Sequence, residues 1–103
     1  MYKLTVFIPD EALESVKAAL FAAGAGQIGN YGECCWQVQG TGQFKPLPGS
    51  QPHIGQQEVL EQVPEWRVEM VVANDKLAAV IKALKQAHPY ETPAYDVLAV
   101  MDI

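Results

Sequence analysis

His88-Pro89-Tyr90-Glu91-Thr92-Pro93-Ala94-Tyr95-Asp96 is the stretch whose reading decides the fold. It joins a helical pattern to a short apolar one. Pro89 disfavours the helical conformation at His88, which predicts that the helix stops there. Pro93 fixes a second φ and stiffens the crossing. Three titratable side chains and two phenols therefore sit on a braced connection. A braced, chemically rich connection predicts a functional or interface role.

Working outward, residues 95–101 form a strand that is apolar on both faces, with Val97 and Ala99 on one and Leu98 and Val100 on the other. Such a strand is expected in the interior or at a subunit contact. Upstream, Leu77, Val80, Ile81 and Leu84 repeat at helical spacing, which predicts a helix from 74 to 88 with Asn74-Asp75 as its capping pair. Before it, Trp66, Val68, Met70 and Val72 alternate with Arg67, Glu69 and Val71, which makes a strand over 66–72. Pro64 is expected to break whatever lies in 56–63. Three prolines and three glycines within 42–55 predict an irregular segment, and 42–64 reads as one long loop of functional or assembly use.

The first half repeats the scheme. Leu4, Val6 and Ile8 alternate with Lys3, Thr5 and Phe7 in a strand over 2–8. Pro9-Asp10-Glu11 opens a helix over 10–23, with Leu13, Val16 and Leu20 as its buried stripe and Gly24 as its stop. The glycine-rich 24–32 segment lacks the Lys-Ser/Thr of a phosphate loop and reads as a tight connection. A strand over 34–41 follows, with Trp36 and Val38 on an apolar side and Gln37 and Gln39 on a polar one. The order β-α-β-β-α-β specifies an α+β fold, the ferredoxin-like sandwich. Two helices then cover one face of a four-stranded antiparallel sheet. The other face is expected to carry Lys3, Thr5, Phe7, Gln37, Gln39, Arg67, Glu69 and Val71.

The 103 residues fit a single domain, 1–103, and half of them are hydrophobic. A formal charge of -5 leaves no footprint for a phosphate backbone, which argues against nucleic acid. No apolar run reaches the ~18 residues that would span a membrane. The first residues lack the zones of a signal peptide, and the adjacent Cys34 and Cys35 read as reduced thiols, so a cytoplasmic protein is expected.

HPYETPAYDV, AGAGQIGNY and GTGQFKPLPGSQPHIG, in their places along the chain, resemble the insert domain of the YqfO-type (NGG1-interacting-factor-like) proteins. The likeness runs from about Lys3 to Val100. His88-Pro89-Tyr90-Glu91 is also similar to the C-terminal motif of the CutA divalent-cation-tolerance proteins. Together the resemblances imply a stand-alone PII/CutA-like domain and trimeric assembly. YqfO-type proteins carry their dinuclear metal centre in flanking domains that are absent from this sequence. Their hydrolase and cyclohydrolase labels are therefore not carried over.

The expected function is a non-enzymatic, homo-oligomeric regulatory or adaptor module that binds a small ligand or a divalent metal. Its clefts would lie between the 24–32 turn, the 42–55 loop and the 88–95 segment. Gly29, Asn30, Tyr31, Tyr90 and Glu91 are the expected ligand contacts, with Glu91 holding N–H groups of the 24–32 turn. His88, Glu91, Cys35 and His53 are the metal candidates, and their donor types suit zinc or copper. The bland reading of His88 is a helix-cap or interface hydrogen bond, and of His53 plain solvent exposure. Strand parity places Cys34 in the core and leaves Cys35 as the exposed thiol. Two other functions compete: an assembly module gripping neighbours through 42–64, and an enzyme built on Cys35, His88 and Glu91.

Overall fold

The computed structural model describes residues 1–102. Six elements carry the fold: β1 (Tyr2–Pro9), α1 (Leu13–Ala22), β2 (Trp36–Phe44), β3 (Glu61–Val72), α2 (Leu77–Ala87) and β4 (Tyr95–Ala99). A turn of 3-10 helix precedes each α-helix, at Asp10–Ala12 and Asn74–Lys76. The sheet order is β2-β3-β1-β4, antiparallel throughout. This is the ferredoxin-like arrangement that the element order specifies.

The alternation in β1 is realised without slippage. Leu4, Val6 and Ile8 are fully buried beneath the helices, and Val68, Met70 and Val72 of β3 join them. Leu13, Val16 and Leu20 of α1 and Val80 and Leu84 of α2 close this core. Gly24 ends α1 at φ +113. There Ala25 N–H donates to Leu20 O at 3.1 Å and Gly24 N–H to Phe21 O at 3.0 Å. That bond pair is the Schellman motif, which a left-handed glycine makes cheap. The Asn74-Asp75 pair does not cap α2, since neither helix start carries a side-chain cap bond.

Three expectations are corrected. First, Pro64 does not break the chain. It lies inside β3, paired with Thr41, and β2 runs on through Gly42 to Phe44. β1 ends at Pro9, opposite Glu65, so beyond that point β3 has a free side where a missing N–H does no harm. The loop thereby shrinks from 42–64 to 45–60. The β2–β3 ribbon overhangs the sheet and stretches the molecule to 46 × 24 × 23 Å.

Second, the faces of β2 are exchanged. Directly paired residues share a face, and Trp36 pairs with Glu69 and Val38 with Arg67. Trp36 and Val38 thus line the open face, 64% and 43% exposed, whereas Gln37 lies on the helix side and accepts a bond from Lys17 Nζ at 2.8 Å. On this edge strand the bond to α1 is the polar Lys17–Gln37 one, and the greasy side faces outward. Cys34 and Cys35 swap in the same way. Cys35 packs against the core, and Cys34 donates to Gly32 O at 3.6 Å.

Third, β4 is not interior: it is an edge strand pairing only with β1, and it ends at Ala99. Tyr95 and Val97 pack on the core, while Leu98 stands 59% exposed on the open face.

Candidate functional site

Chain direction determines which loops meet. β1 runs from Tyr2 to Pro9, α1 returns, and the 24–35 connection lies at the Tyr2 end. There Gly26 N–H donates to Val71 O at 2.8 Å. α2 starts at that same end and climbs back, so the 88–94 segment lies at the Pro9 end, where Phe7 N–H donates to Ala94 O at 3.1 Å. Within one chain, therefore, the glycine turn and the proline-braced segment are at opposite ends of the sheet. The loop 45–60, between β2 and β3, shares the Pro9 end and takes the place expected of the turn.

Pro89 pushes His88 to φ -70, ψ 132, and the ring folds back into the protein, 5% exposed. Both ring nitrogens are used. Nε2–H donates to Phe7 O at 2.8 Å, and Nδ1 accepts Tyr90 N–H at 3.1 Å. A carbonyl on one side and an N–H on the other select the neutral Nε2–H tautomer. Burial pushes the His88 pKa below the ordinary histidine value, against the opposing pull of the Phe7 carbonyl. The side chain thus bridges β1 and the segment after α2 as a neutral ring, and it caps no carbonyl of the helix.

Tyr90 is the hub. Its hydroxyl donates to Glu65 Oε2 at 2.9 Å. Its ring lies 5.0 Å from that of His88, 5.9 Å from Phe44 and 6.2 Å from His53, centroid to centroid and tilted in each case. Burial first, and then the Glu65 carboxylate, hold its phenol well above the ordinary range, so it stays protonated. Glu91 reaches across and accepts Gln51 N–H at 2.9 and 3.3 Å. The carboxylate thus locks loop 45–60, not the 24–32 turn. Phe44, Lys45, Pro46, Leu47, Ser50, Pro52, His53, Ile54, Tyr90, Glu91 and Thr92 line an open cleft of about 420 Å³.

Gly29, Asn30 and Tyr31 are elsewhere. Ile28 and Tyr31 exchange two backbone bonds of 2.9 Å around Gly29 at φ +57, a tight hairpin that leaves Tyr31 75% exposed. The metal candidates do not gather either. Cys35 lines a hollow with Lys3 and Val71, whereas His88 bonds Phe7, four residues or about 13 Å along β1. Both ring nitrogens of His88 are already engaged, Nε2–H by Phe7 O and the Nδ1 lone pair by Tyr90 N–H. His53 Nε2 is 3.8 Å from Glu11 Oε1, an exposed contact. Among the described residues no three His, Cys, Asp or Glu side chains come together as a metal cluster, so the donor set does not fit a divalent ion within one chain. Cys35 and His88 likewise form no nucleophile–base pair.

The sequence reading missed Glu65, Phe44 and Gln51. The signal for them lay in the element order. In an antiparallel β-α-β-β-α-β sandwich, β2 and α2 both run toward the end at which β1 finishes. The loop after β2 and the segment after α2 must then share that end.

The open face is a second feature. Phe7, Trp36, Val38 and Leu98 surround an ion cluster in which Glu69 meets Lys3 Nζ at 3.2 Å and Arg67 at 2.7 Å. The Lys3 hydrogen bond, aided by Arg67, holds the Glu69 carboxyl below its ordinary value.

Fold and site together define a PII/CutA-like ferredoxin-fold domain. CutA1 from Pyrococcus horikoshii superposes on all of the chain and 86% of its own, with a TM-score of 0.71 at 18% identity, a likeness of fold alone. The relatives in sequence are larger proteins. The chain is 46% identical over 99 residues to a GTP cyclohydrolase 1 type 2 homolog of Mycobacterium leprae and 48% identical over 98 residues to that of Bacillus subtilis. A Bacillus cereus protein related to NIF3 matches 98% of the chain with a TM-score of 0.83 at 42% identity. The resemblance carried by the three motifs therefore holds. In each of these relatives the chain spans only about a quarter of the length, 26%. No protein-family model matches the chain. No helix among the described residues is long and apolar enough to cross a membrane.

Proposed function

We propose that this chain is a non-enzymatic, homo-oligomeric regulatory or adaptor module that binds a small organic ligand in the cleft between loop 45–60 and the 88–94 segment. One observation carries the reading: an aromatic hub, Tyr90 with Phe44 and His53, walls an open cleft whose other side is the loop, held there by a single carboxylate. Concave, largely apolar sites with a few fixed polar groups are where small molecules bind. The name of the sequence relatives makes a purine nucleotide the first probe. The rings of Tyr90 and Phe44 suit a planar base, and Lys45 supplies a positive charge for a phosphate. An organic ligand is favoured over a metal because His88 is fully hydrogen-bonded and Cys35 is remote.

Self-association through the open face completes the proposal. Exposed Phe7, Trp36, Val38 and Leu98 flank an ion cluster whose carboxylate is shared by two cations, and exposed apolar side chains on one face suit a subunit contact. Calorimetric titration with guanosine and adenosine triphosphates, and with zinc as the competing class, tests the cleft. Tyr90→Ala is expected to abolish nucleotide binding. Binding that survives this change, or none at millimolar concentration, would end the ligand half of the proposal. Light scattering tests assembly: the wild type is expected as an oligomer, which Trp36→Glu reduces in size. A wild-type monomer at micromolar concentration would end the assembly half.

A further inference from the structure

We infer that His88 is a proton-operated latch for the cleft: protonation of its Nδ1 expels the Tyr90 N–H, and with it releases loop 45–60. The geometry carries this. Nε2–H is committed to Phe7 O, so an added proton can go only to Nδ1. Nδ1 is the acceptor of Tyr90 N–H at 3.1 Å. Once protonated, it presents a hydrogen to a hydrogen, and a part-buried N–H loses its partner.

The loss of that bond is passed on mechanically. Tyr90 is the hub against which Phe44 and His53 lean, and Glu91 is the next residue. Among the described residues, the polar ties of loop 45–60 to the rest of the chain are Gln51 N–H to Glu91 and the wide His53–Glu11 contact, beside the ring contact of His53 with Tyr90 itself. Moving residues 90–91 therefore undoes the principal tether. The proton comes from solvent and no other covalent bond changes. The ordinary histidine value lies near 6.5, and burial lowers that of His88, so release belongs to mildly acidic solution.

Other groups face this ring and must be separated from it. From β3, Glu65 holds the Tyr90 hydroxyl and attracts a charge on His88. From the loop, His53 opposes that charge. Glu11, before α1, faces His53, and Glu91 lies on the same segment as His88.

The inference concerns regulation of the proposed cleft and rests on that reading for its purpose. The switch itself is tested without ligand, so the two fail separately. Nuclear magnetic resonance would follow the His88 ring, the Tyr90 and Gln51 amides, and the Val6 and Val68 amides from pH 8 to pH 5. The expected result is one shared midpoint below 6.5 for His88, Tyr90 and Gln51, with Val6 and Val68 unmoved. Protection of the loop amides, corrected for intrinsic exchange, should fall about tenfold or more across the transition. A loop that ignores the His88 titration, or a sheet that melts with the same midpoint, overturns the inference.

His88→Asn supplies the second arm. An asparagine oxygen accepts the N–H two residues on, as Nδ1 does, but does not titrate. The variant is expected to keep the loop closed at pH 5. His53→Gln and Glu91→Gln identify any competing titration. A pH response lost in His53→Gln and kept in His88→Asn would assign the switch to His53 and overturn the assignment to His88. If His88→Asn fails to fold, the coincidence of midpoints in the wild type still decides.

Discussion

The bond from Tyr90 to Glu65 can be tested by removing each end. Tyr90→Phe deletes the hydroxyl and keeps the ring. The 2.9 Å bond it removes ends on a carboxylate, and hydrogen bonds to charged groups contribute about 1.5–3 kcal/mol. Tyr90 is half-buried and water can replace part of the loss, which puts the expected cost near the lower end, about 1–1.5 kcal/mol. For a domain of this length that lowers Tm by roughly 4–10 °C. Tyr90→Ala also removes the ring contacts with Phe44, His53 and His88, and should cost about 3 kcal/mol or more. The assay is urea unfolding followed by tryptophan fluorescence at fixed protein concentration, for Tyr90→Phe, Glu65→Ala and the double variant. The coupling energy isolates the bond, because each single change removes it. A coupling below about 0.3 kcal/mol, within the usual additivity of independent sites, would refute the view that this bond fastens the 88–94 segment to β3.

The remaining contacts give three further expected outcomes. Leu84→Ala empties a fully buried site between α2 and the sheet; it should cost about 2–5 kcal/mol in urea unfolding. Glu91→Ala removes the acceptor of Gln51 N–H, so limited proteolysis should cut within 45–60 faster than in the wild type while the sheet core stays intact. Stability should also depend on pH through His88, whose pKa is lowered in the folded state. The unfolded chain takes up the proton more readily, so this contribution is whole above about pH 6.5 and is lost as pH falls through the folded value. Urea midpoints measured from pH 8 to pH 5 should fall accordingly, and the part due to His88 should be missing in His88→Asn.

The fold could be read from the chain because its signals are local and repeated. Leu4, Val6 and Ile8, the 3-4 stripes of both helices, and Gly24 each give the same answer whichever neighbours they meet. The stop of α2 before Pro89 is equally local. The candidate site was half legible. Tyr90 and Glu91 do face a cleft, but the partner is loop 45–60 and not the 24–32 turn. Pro64 read as a breaker because proline disrupts a strand paired on both sides. It is tolerated because β1 ends one residue short of it, a fact about another strand. Trp36 and Val38 read as the inner side of β2 because apolar residues usually point inward, and the pairing of Trp36 with Glu69 turns them outward.

The sequence by itself determined the number, kind and order of the elements, and the chemistry gathered between His88 and Asp96. Those come from backbone preferences and from the period of apolar residues, which act over a few neighbours. Only the tertiary structure decided which end of the sheet each connection occupies, which side of β2 meets the helices, and that both nitrogens of His88 are engaged. These depend on strand direction, cross-strand register and the bonds of Phe7 and Tyr90, contacts between residues as much as 81 positions apart, which no local pattern encodes.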